Sequence, residues 1–152
     1  MNEEKRPGGL TALAVINFIL SGWGLIGLIG LAAFFALIGK IPTDKMQETQ
    51  KLQIQALQDM GLSVLILIFA LSLVSSALLL LSGIGYLKQK KFLGRIIGNI
   101  YAVITIISSI VSGILLAPAL GGGFNIATII SLIYPVLTLI LVNTTFKEDL
   151  TN

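Results

Sequence analysis

Charge segregation limits what this chain can fold into more than any other feature. No charged residue occurs in four runs: Leu10 to Gly39, Gly61 to Leu87, Ile96 to Ala117 and Gly121 to Phe146. Each run exceeds the roughly 20 residues that cross a bilayer core of about 30 Å. A soluble domain of 152 residues has too little interior to bury four such runs, so lipid is their expected solvent. Only 11% of residues are charged, against about 25% in a soluble domain. The expected fold is therefore all-α, an integral membrane four-helix bundle forming one domain over residues 1–152. A helix is required at each span because hydrocarbon cannot satisfy free backbone N–H and C=O groups.

The four spans are expected at about 10–39, 61–87, 92–116 and 124–146, with a polar helical segment over 40–60. Pro7, Gly8 and Gly9 precede the first span and Pro42 follows it, and Pro118 with Gly121, Gly122 and Gly123 marks the last turn. Lys5 and Arg6 precede the first run as they would in a secretory signal. A signal core is about 7–15 residues, so an uncleaved helix is expected here. Pro135 should kink the fourth span.

Lys and Arg placement sets the expected orientation. Lys5, Arg6, Lys88, Lys90, Lys91, Arg95 and Lys147 fall on one side, and Lys40, Lys45 and Lys51 on the other beside Asp44, Glu48 and Asp59. The richer side is expected to face the cytoplasm, with both termini there. In the 40–60 segment Asp44 can cap a helix, with Gln47 closing a capping box. Met46, Ala56, Leu57 and Met60 share one side. Such a helix could lie on the outer membrane surface or run straight on into the second span.

Small residues mark where membrane helices can approach closely. In the third span Gly94, Gly98 and Ala102 are spaced by four, and the row continues through Thr105, Ser109 and Ser112 along one helix face. The fourth span has Ala127, Ser131, Pro135 and Thr138, and the second has Ser72, Ser76 and Gly83. In the first span Ser21, Gly24, Gly27, Gly30, Ala33, Ala36 and Gly39 recur every third residue. That row slides around the helix and permits contact with different neighbours at different depths. Packing within the bundle and contact with a second copy or a partner subunit both fit these rows. Trp23, near the middle of the first span, is expected to fill a gap against small residues.

Polar residues inside spans are costly and mark functional or clamping positions. Asn17, Asn99 and Asn143 all fall in the leaflet next to the basic side, and Asn17 and Asn99, the deeper two, are the expected pair. No span holds Asp, Glu, His, Lys or Cys, and the chain has no Cys or His at all. Disulfides, thiol catalysis and thiolate metal sites are therefore excluded, and so is a membrane carboxylate for proton-coupled transport. No enzyme activity, cofactor or metal is expected. The net charge of +3 comes from cations beside the spans and points to anionic headgroups rather than nucleic acid.

The stretch Gly83-Ile84-Gly85-Tyr86-Leu87-Lys88-Gln89-Lys90-Lys91-Phe92-Leu93-Gly94-Arg95 resembles the hairpin between spans two and three in a loose group of small bacterial four-helix membrane proteins. There a glycine-rich helix end precedes a basic turn and a Gly-Arg or Ala-Arg pair. The resemblance implies a four-span protein of a bacterial cytoplasmic membrane and no particular activity. Lys88, Lys90, Lys91 and Arg95 would hold that turn at lipid headgroups. The expected function is a non-catalytic membrane scaffold or accessory subunit of a larger membrane complex, bound to another membrane protein or to itself. The alternative is a passive pore or carrier for a small solute, assembled from several copies.

Overall fold

A computed structural model describes residues 8–40, 42, 46–59, 62–115 and 126–150. The fold is all-helical, with no strand among the described residues. Helix α1 spans Gly8–Ile38, α2 Glu48–Asp59 and α3 Leu62–Leu87. A π-helical turn, Lys91–Ile96, runs directly into α4, Ile97–Leu115. Helix α5 spans Ile126–Asn143. Three stretches, Gly8–Ile38, Ser63–Leu87 and Lys91–Leu115, are long and apolar enough to cross a membrane. At 1.5 Å per residue α1 alone is about 46 Å long. The described apolar part of the last helix, Ile129–Asn143, falls short of that length. Pro118 and the Gly121–Gly123 turn lie outside the described residues.

Gly8 and Gly9, expected as punctuation before the first span, are instead its first residues. The π turn was not foreseen either. Its wider winding is visible where the Ile97 N–H reaches back to the Phe92 carbonyl, five residues earlier. Between α3 and the π turn the chain reverses through a left-handed C-cap. The Lys90 N–H donates to the Gly85 carbonyl (3.0 Å) and the Gln89 N–H to the Tyr86 carbonyl (3.3 Å). Gln89 takes φ of 51° to make this possible, a conformation that Gly adopts at far lower cost.

Cross-helix hydrogen bonds fix the topology. Asn17 meets Ser82 and Ser21 meets Ser76, so α1 and α3 run antiparallel. Asn99 meets Asn143 and Ser109 meets Ser131, so α4 and α5 do too. Each long helix lies against the next, and α5 meets α1 again at one end of the molecule. There Leu10, Leu13, Ala14, Val142, Phe146 and Leu150 enclose the Tyr86 ring. Leu79, Tyr101 and Ala102 form a second cluster with Tyr134 and Leu139 packed on it. Burial is concentrated at this end. In α4 the fully buried residues are Ile97, Gly98, Tyr101 and Ala102, all in its first six positions.

At the opposite end α2 has no buried residue. Its Gln58 side chain donates to the Ile38 carbonyl at 2.8 Å, satisfying one of the last carbonyls of α1 that a helix cannot bond internally. The proposed cap residue Asp44 lies outside the described residues, as do Met60 and Gly61 at the junction with α3.

Candidate functional site

Glycine positions separate sharply into packed and unpacked ones. At the α3–α4 hairpin, a Cβ added to Gly85 would strike the Gly94 N and Leu93 C backbone atoms and lie 2.6 Å from the Gly94 Cα. The two backbones touch here, and only glycine fits. Gly94 also lies under Leu150 and Tyr86, and Gly98 lies under the Tyr86 hydroxyl. Ala102 is fully buried. The Gly94, Gly98 and Ala102 face of α4 is thus filled from within the chain.

Helix α1 behaves differently. Gly24 faces Ser76, whose Oγ would stand 2.5 Å from an added Cβ. Gly27 and Gly30, expected to pack with it, meet no atom within 4 Å, and neither do Gly22 and Gly39. The three-residue row turns too fast for one neighbour to follow: α3 covers Gly24, and the rest of the row rotates away from it. Trp23 is likewise not a gap filler, since 77% of it is exposed. Ile26 and Ile29 beside it are exposed as well.

The intramembrane asparagines do not pair as expected. Asn17, fully buried, donates from Nδ2 to the Ser82 Oγ at 2.7 Å and accepts from the Tyr134 hydroxyl at Oδ1. Ser82 passes its own proton to the Leu79 carbonyl at 3.0 Å. Asn99 instead faces Asn143, and their side chains bond reciprocally, Nδ2 to Oδ1, at 3.1 and 2.7 Å. Depth alone ranked Asn17 with Asn99. The order of helices decides otherwise, because α1 lies against α3 while α4 lies against α5. Asn143 also donates to the Leu139 carbonyl at 2.8 Å, and Arg95 Nε donates to its Oδ1 at 3.2 Å.

Two polar knots therefore tie the helices. One joins α1, α3 and α5 through Asn17, Ser82 and Tyr134, and Ser21 adds a bond to the Ser76 carbonyl at 2.9 Å. The other joins the π turn, α4 and α5 through Arg95, Asn99 and Asn143. The Tyr101 and Tyr134 rings, 6.5 Å apart and tilted by 54°, lie on the α4–α5 side. Sequence reasoning passed over Tyr134. A tyrosine one residue before a proline in an apolar helix was its only signal. Ser76 turns toward α1, and Ser109 lies 3.4 Å from Ser131 of α5. The two serine faces do not converge on a common path.

Lys88, Lys90 and Lys91 are exposed around the hairpin, whereas Arg95 is half-buried and held by Asn143. No group of three or more His, Cys, Asp or Glu side chains fit to hold a metal occurs among the described residues. No family model, curated protein or solved structure matches this chain.

Proposed function

We propose that this chain is an integral membrane protein of four spans and that it serves as a non-catalytic scaffold or accessory subunit in a larger membrane complex. In this reading the α3–α4 hairpin faces the cytoplasm of a bacterial cell, and both termini lie on that side. Apolar surroundings account for the long exposed faces of Ile and Leu on every major helix, which water would not tolerate at this extent. They also account for helices in the Ile-, Val- and Thr-rich α4 and α5, whose residues favour strands in water.

The observation that carries the scaffold reading is the unfilled face of α1. Gly22, Gly27 and Gly30 meet nothing in the chain, and Trp23 projects beside them. In lipid, helices associate through close backbone packing and shape rather than apolar burial. A bulky ring flanked by glycines gives another helix both a knob and a hollow. The interior, meanwhile, has its asparagines bonded to other side chains and no charged group through which to couple or select an ion.

Extraction from the native membrane in mild detergent should recover the chain with a second membrane protein in fixed ratio. The double variant Gly27→Leu/Gly30→Leu should lose that protein without loss of thermal stability. Liposomes holding the purified chain should show no ion flux above empty vesicles. One feature favours the pore reading: the Ser108 hydroxyl of α4 is buried with no partner among the described residues. Reproducible flux that disappears in Asn17→Leu or Asn99→Leu at unchanged protein level would establish the pore and overturn the scaffold.

A further inference from the structure

The basic hairpin is more than a set of cations beside a membrane, because one of them is held in place. Arg95 sits on the π turn, half-buried, with its Nε donating to Asn143 Oδ1 at 3.2 Å. Asn143 is itself fixed from three directions, by two bonds with Asn99 and one to the Leu139 carbonyl. The bond to Nε orients the guanidinium plane and leaves its two terminal nitrogens without a partner among the described residues. An arginine whose Nε is already engaged presents its remaining edge as a pre-set two-pronged donor for a phosphate. π turns inserted in helices occur often at such functional positions.

The surroundings specify the kind of phosphate. Lys91 lies one turn before Arg95, and Lys88 and Lys90 stand exposed on the adjoining turn. The acidic groups at this end are Glu148 and Asp149, in the turn after α5, and neither pairs with Arg95. Phe92 and Ile96, which alternate in sequence with these cations, are exposed at 63% and 41%. A free phosphate would use the cations and leave Phe92 and Ile96 in water. A phosphate carrying acyl chains uses both.

We propose that Arg95, oriented by the Asn99–Asn143 pair and assisted by Lys91, binds the phosphate of an anionic phospholipid, whose chains lie along Phe92 and Ile96. The lysines of the turn add unspecific attraction, and Arg95 supplies the fixed contact. The proposal rests on the membrane reading above.

The purified full chain in neutral detergent tests it, with thermal unfolding measured against added phosphatidylglycerol, phosphatidylcholine or inorganic phosphate. Phosphatidylglycerol should raise the melting temperature and saturate, and the other two should not. Arg95→Gln and the charge-preserving Arg95→Lys should each need about tenfold more phosphatidylglycerol for the same rise, since a lysine cannot reproduce the oriented fork. Lys88→Gln should need little more than the parent. If Arg95→Gln fails to fold, Arg95→Lys carries the comparison alone. An unchanged response in Arg95→Lys, or an equal response to inorganic phosphate, overturns the proposal. Carbonate washing of native membranes reports separately on the membrane reading: release of the chain would sink that reading, whatever the lipid response.

Discussion

Replacing Gly85 by Ala tests the α3–α4 contact at its tightest point. The new Cβ would overlap the Gly94 N and Leu93 C and stand 2.6 Å from the Gly94 Cα, where ordinary contacts begin at 3.4 Å. The helices must part by roughly 0.8 Å at this point. None of the atoms struck is the end of a side chain that could swing aside. Overpacking of a closed interface typically costs about 1–3 kcal/mol, and a backbone clash belongs at the upper end. Alanine regains up to about 1 kcal/mol of helix propensity over glycine, so the net loss should be about 2 kcal/mol. Gly27→Ala provides the matched comparison, because its Cβ meets nothing and only the propensity gain remains. Dodecyl sulfate titration in mixed micelles, followed by circular dichroism, measures both. The reasoning fails if Gly85→Ala is as stable as the parent or indistinguishable from Gly27→Ala.

A double-mutant cycle on Asn99→Leu and Asn143→Leu should give a coupling of about 0.6–1.7 kcal/mol, the range found for polar contacts between membrane helices. A cycle on Asn17→Leu and Asn99→Leu should give none, since the two side chains belong to different knots; sizeable coupling there would restore the pairing expected from depth. Gln89→Val places a β-branched residue at φ of 51° and should destabilise the hairpin by more than about 1 kcal/mol, with Gln89→Gly neutral or better; equal stabilities would show that the turn relaxes. Cysteines introduced at Gln89 and Gln50 should react oppositely with an impermeant thiol reagent in intact cells, and outside labelling of Gln89 would invert the proposed orientation.

Helix existence and approximate extent follow from the sequence alone. An uncharged run longer than a bilayer core, in a chain too short to bury it, permits little besides helix, and charge placement marks the hairpin at Lys88–Lys91. The small-residue row of α4 was legible too, because spacings of three and four keep one face on any helix, whatever packs there. Which face meets which helix was not. Gly24, Gly27 and Gly30 look alike in sequence, yet only Gly24 touches α3, and Trp23 faces outward. Asn17 and Asn99 share a depth but not a neighbour. Periodicity describes one helix in isolation, whereas partner choice depends on the order and rotation of all the helices together. The left-handed Gln89 and the π turn that sets Arg95 beside Asn143 arise from the same source. Closing backbone against backbone at Gly85 and Gly94 fixes the hairpin, and the local winding adapts to it.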